Sequence, residues 1–127
     1  MITLFENITE DLTDYERETL VPMLIDTLRF KTASNKVSTK TLCDWFRASG
    51  VKMHPTRIRK MVAYIRQTNA VRPSVLIGTS DGYYLSGEVG EIELQVESLR
   101  QRARKINQAA DSIEAQLMSI KQYKKVV

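Results

Sequence analysis

With 127 residues and 43% apolar content, the chain supports one modest core and, at most, an appendage. Its apolar runs are a few residues long, far short of the ~20 that span a bilayer, and the first residues lack the basic and apolar regions of a signal peptide, so the expected address is the cytoplasm. The formal charge is +4; a single cysteine (Cys43) excludes an intrachain disulfide, and with a single histidine (His54) leaves too few ligands for the usual Cys/His zinc site, so no metal or other cofactor is expected.

The chain opens with an arm, 1–12, that can lie on the core through Leu4, Phe5 and Ile8. Thr13 followed by Glu16 forms a capping box, which predicts a helix over 13–31 with Tyr15, Leu20, Met23, Leu24 and Leu28 among its apolar positions. Pro22, inside this run, is expected to kink or restart it. A polar connector, 33–37, follows, with Val37 placed to add a short strand. Ser38 or Thr39 then caps a helix over 39–49, and Gly50 closes it in the left-handed conformation. After a tight turn, Pro55 opens a second helix over 55–68, because proline at the first helical position forfeits no intrahelical bond.

Leu42, Trp45 and Phe46 on the first of this helix pair, and Ile58, Met61, Val62 and Ile65 on the second, recur at the spacing of one apolar stripe per helix. All are expected in the core, and Cys43 and His54 are read as structural. Left outside on the second helix are Thr56, Arg57, Arg59, Lys60 and Gln67, side chains able to reach phosphates and base edges.

Two β-rich runs, 75–77 and 83–85, flank the turn-forming 78–82 and predict a hairpin in which one of Tyr83 and Tyr84 packs inward. Helix, tight turn, basic helix and hairpin in this order resemble the winged helix-turn-helix family. DGYYL, followed by an acidic stretch and a helix carrying SLRQRARKI, is similar to small phage and prophage winged-helix proteins, and the resemblance covers 13–106. It implies that the second helix enters the major groove while the hairpin, the wing, lies against the neighbouring backbone or minor groove.

Charge is distributed to suit that reading. Residues 1–32 carry a net −4, residues 33–86 a net +7, and residues 87–127 a net +1. The positive middle would bind phosphate by releasing counterions, with the acidic head facing away. Candidate DNA contacts are Arg57, Arg59 and Lys60 with Thr56 for the groove, Arg66 later on the helix for a phosphate or a carboxylate, Lys40 and Lys52 for backbone positioning, and Thr79 and Ser80 on the wing, where Asp81 opposes deep insertion.

After the wing, Val89, Ile92, Val96, Leu99, Ala103, Ile106, Ala110, Ile113, Leu117 and Ile120 follow an unbroken alternation of three and four. This heptad pattern predicts a helix over 88–121, roughly 50 Å long, with a coiled-coil seam. In the preferred reading the first turns of such a rod pack on the winged helix and the remainder pairs with a second copy through Val96, Leu99, Ala103, Ile106, Ala110, Ile113, Leu117 and Ile120; the alternatives are a helix that folds back at Gln108, Ala109 and Ala110, or one that packs against the first helix of the chain. Ala103 and Ala110 bury little, so pairing should be modest or tolerant of antiparallel order. Arg100, Arg102, Arg104 and Lys105 are read as a solvated or salt-bridged face. Residues 122–127 are expected to fray.

The fold expected is therefore mainly α with a small hairpin, a winged helix-turn-helix over 13–87 followed by a long coiled-coil helix. No glycine-rich phosphate loop, metal-binding pair or nucleophile with a base beside it is visible, so no enzyme is expected. The favoured function is a dimeric DNA-binding regulator or replication organiser of a phage or mobile element. The alternative is a protein-interaction adaptor that docks partners on the winged helix and the coiled coil.

Overall fold

The structure, a computed structural model, describes residues 12–126. The arm expected over 1–12 therefore lies outside the described residues except for Leu12, which is buried. The elements fall into two compact units, one ending at Ile92 and one starting at Glu93.

The first unit opens with helix α1. A π-helical segment, Glu16–Leu20, runs directly into an α-helix, Val21–Leu28. The wider turn is closed by the Val21 N–H donating to the Glu16 carbonyl. Its cause is legible: Pro22 has no N–H to give and its ring would press on the carbonyl one turn back, and an extra residue in the turn relieves both. As expected of Pro22, the run restarts here: the π-helical segment ends at Leu20 and the α-helix starts at Val21 with the proline in its first turn. The capping box is formed as expected, with the Thr13 N–H donating to Glu16 Oε1 at 2.9 Å and the Glu16 N–H to Thr13 Oγ1 at 3.1 Å.

Helix α2, Thr39–Ala48, is capped by Ser38, whose Oγ accepts from the Thr41 N–H. Gly50, at φ 83°, ends it. Helix α3, Pro55–Gln67, begins at the proline. Strands β1, Val75–Thr79, and β2, Gly82–Ser86, pair antiparallel from Val75 opposite Ser86 to Thr79 opposite Gly82, leaving Ser80 and Asp81 as the turn. Val37 adds a one-residue bridge: its N–H donates to the Tyr83 carbonyl at 3.0 Å and its carbonyl accepts from the Tyr83 N–H at 2.8 Å.

Leu20, Leu24 and Leu28 from α1, Leu42 and Phe46 from α2, Ile58, Met61 and Ile65 from α3, and Leu76 from β1 are fully enclosed, and Cys43 is buried beside them. One of the expected core placements needs correction. Trp45 is 41% exposed, touching Phe46 edge-on at 4.9 Å between ring centres, because the α2 stripe narrows to Leu42, Cys43 and Phe46. His54 is exposed and offers no side-chain cap to α3. Tyr84 is buried and Tyr83 half-buried, so Tyr84 is the one that packs inward.

Helix α4, Val89–Val126, has 38 residues and begins where the Glu88 carboxylate accepts the N–H groups of Gly90 at 3.0 Å and Glu91 at 2.9 Å. It continues through the segment expected to fray. Nothing after Gly90 breaks it, and Lys124 and Lys125 in the last turn complement the helix dipole. Most of α4 constitutes the second unit. Among the described residues no helix is long and apolar enough to cross a membrane.

Candidate functional site

The basic face of α3 divides in two. Thr56 and Arg59 are exposed, with Arg59 Nη2 3.4 Å from Thr56 Oγ1. Arg57 and Lys60 are not. Arg57 Nε donates to Glu16 Oε2 at 2.9 Å and Lys60 Nζ to Glu16 Oε1 at 3.1 Å, with the two basic side chains only 22% and 20% exposed and the carboxylate 5%. Arg57 also donates through Nη1 to the Lys52 carbonyl at 2.7 Å, and its guanidinium lies 5.8 Å from the centre of the Tyr15 ring. Two of the three expected groove-reading cations are therefore held inward, where they tie α3 to α1.

Burial pushes the Glu16 carboxyl up, but the Thr13 N–H and the Lys60 and Arg57 donors outweigh it and hold the group at about 2, below its ordinary 4.5. Glu16 is thus an anion at every physiological pH. Only its capping role is legible in neighbouring residues; that it also meets Arg57, 41 residues away on α3, has no local signal.

The remaining candidates are spread over the unit. Lys52 is exposed and, with Arg47, Gly50, Val51, Met53 and His54, lines an open depression at the α2–α3 turn. Arg47, which sequence reasoning passed over, braces that turn by donating from Nε to the Met53 carbonyl at 2.9 Å. Lys40 is exposed and sits 3.2 Å from Asp44 in a surface pair. Arg66 donates from Nε to the Leu76 carbonyl at 3.3 Å and so braces the hairpin. Thr79 spends its hydroxyl within the turn, donating to the Gly82 carbonyl at 3.2 Å and accepting the Asp81 N–H at 3.2 Å, while Ser80 at the tip is exposed. The exposed candidates are thus Lys40, Lys52, Thr56, Arg59, Arg66, Thr79 and Ser80, of which Arg66 and Thr79 spend polar groups on bonds within the hairpin region.

No protein-family model matches the chain, and no curated protein or solved structure matches it either.

The second unit offers a different surface. Val96, Leu99, Ile106, Leu117 and Ile120 are all exposed in the single chain, as is Ile113 at 65%, and Ala103 and Ala110 lie open between them. A basic run flanks this seam; of its members Arg104 pairs with Glu97 at 3.0 Å. Among the described residues no group of three or more His, Cys, Asp or Glu side chains is gathered to hold a metal ion.

Proposed function

We propose that the chain is a DNA-binding protein of winged helix-turn-helix type, acting in the cytoplasm without catalysis as a dimeric regulator or replication organiser of a phage or mobile element. The observation that supports this best is α3 itself: its apolar side is buried while Thr56 and Arg59 face outward from a segment, 33–86, that carries a net +7. Three helices followed by a hairpin, with Val37 bridged to β2, give the element order that such domains use. In this reading Arg59 and Thr56 reach base edges, Lys52 and Lys40 reach the phosphate backbone, and Ser80 meets it from the wing. Arg57, Lys60 and Arg66 orient α3 and the hairpin instead of contacting DNA. Pairing through α4 doubles the number of contacts, and because the second site then binds intramolecularly the affinity rises by far more than twofold.

The test is a binding titration of the full chain against mixed duplex fragments at two salt concentrations. Arg59→Ala combined with Lys52→Ala should abolish most of the binding while leaving the helical content intact. Undiminished affinity in that variant refutes this surface.

A second reading has its own support. Phe30 and Trp45 are 81% and 41% exposed, apolar surface of a kind that an adaptor would use to dock a protein partner. Weak, salt-insensitive DNA binding together with capture of a stable protein partner that is lost in Trp45→Ala would favour it.

A further inference from the structure

We propose that α4 pairs with a second copy of itself in antiparallel order, in the single register that sets Ala103 of one copy against Ile106 of the other. The inference deepens the self-association assumed above and does not depend on DNA binding.

Layer packing comes first. With Val89, Val96, Ala103, Ala110 and Leu117 as one column of the seam and Ile92, Leu99, Ile106, Ile113 and Ile120 as the other, a parallel pair matches each residue with itself. Ala103 would then face Ala103 and Ala110 would face Ala110, leaving two underfilled layers among layers of Ile and Leu. An antiparallel pair matches one column with the other. In the proposed register Val89 meets Ile120, Ile92 meets Leu117, Val96 meets Ile113, Leu99 meets Ala110, and Ala103 meets Ile106. Every alanine is opposed by a large side chain, and all ten seam positions of each copy are used.

Flanking charge selects the same register. Reversing one helix sets like flanks side by side, and the flank that follows the Ile and Leu column carries Glu93, Arg100, Asn107, Glu114 and Lys121. Its signs run negative, positive, neutral, negative, positive. In the proposed register Glu93 lies beside Lys121 of the second copy and Arg100 beside Glu114, with Asn107 meeting its own equivalent on the dyad. Sliding one heptad in one direction sets Arg100 against Lys121, and sliding in the other sets Glu93 against Glu114; both repel. In a parallel pair these flanks meet the opposite flank, Gln95, Arg102, Ala109 and Gln116, which offers no opposite charge to Arg100 or Glu114. The helix is formed and uninterrupted over the whole span, from Val89 to Val126, and its apolar seam is exposed in the single chain from Val96 onward. Such a pair would place the two Val89 residues at opposite ends of a rod, about 46 Å apart.

The test is a distance between spin labels attached at Gln122→Cys in a Cys43→Ala background, with sedimentation of the same sample. The antiparallel register puts the two labels about 50 Å apart, whereas parallel pairing puts them about 20 Å apart. A dimer with the long distance supports the proposal; a dimer with the short one overturns the register while leaving self-association standing, and a monomer overturns both. Charge reversal on exposed positions gives an independent reading in the native Cys43 background. Arg100→Glu and Glu114→Arg should each weaken the dimer about tenfold, and the double variant should recover it; absence of recovery overturns the register.

Discussion

Arg57 and Glu16, 41 residues apart in the chain, meet at 2.9 Å in a part-buried ion pair that fastens the start of α3 to the start of α1. Lys60 completes the trio from one turn further along α3. The helix that carries the outward Arg59 is held in place by its own inward-facing cations.

Removing the anion should therefore cost more than a surface change. Glu16→Gln leaves Arg57 and Lys60 half-enclosed with no countercharge and weakens the capping box, which should destabilise the first unit by about 2 to 4 kcal/mol. Denaturant unfolding followed by circular dichroism checks this, and a loss under ~0.5 kcal/mol would contradict it.

Acid should reveal the same carboxylate. Its folded-state value of about 2 lies below the ordinary 4.5, so its contribution is complete above the upper value and is lost as the pH falls from 4.5 toward 2. The amount at stake is on the order of 3 kcal/mol. The stability of the native chain should fall through that window more steeply than that of Glu16→Gln, as measured by urea midpoints at several pH values.

Arg57→Ala and Arg59→Ala should behave in opposite ways. The first should lower stability by about 1 to 3 kcal/mol, since it takes from the buried Glu16 one of its two cationic partners and leaves only Lys60. The second should leave stability within ~0.5 kcal/mol and, if α3 contacts DNA, reduce the slope of log affinity against log salt by about 1 or relax sequence preference. Parallel melting curves and salt titrations separate the two.

On α2, adjacent aromatic residues should differ sharply. Phe46 is fully enclosed and its replacement by Ala should cost about 3 to 5 kcal/mol, whereas Trp45→Ala, at a position 41% exposed, should cost about 1 to 2 kcal/mol. Equal losses would show that the indole is covered in solution.

At the hairpin, Gly82 has φ 143° and a Cβ there would sit 2.4 Å from the Val37 carbonyl oxygen. Gly82→Ala should break the bridge between Val37 and Tyr83 and cost about 2 to 4 kcal/mol. Hydrogen exchange at the Tyr83 and Val37 amides should rise in that variant.

Local chemistry was enough to determine much of this chain from sequence. The capping box at Thr13 and Glu16, the Ser38 cap, the closing Gly50, the opening Pro55, the hairpin around Ser80 and Asp81, and the heptad of α4 each depend on neighbours within a turn or two, so their signals are written in consecutive residues. Where a side chain points across elements was decided only by tertiary structure. Arg57, Arg59 and Lys60 look alike in sequence, yet two of them turn inward because Glu16 arrives from another helix, Arg66 is drawn to the Leu76 carbonyl, and Trp45 is left half outside by a core that closes on Phe46. An arginine goes where its countercharge lies, and that location is a property of the folded chain.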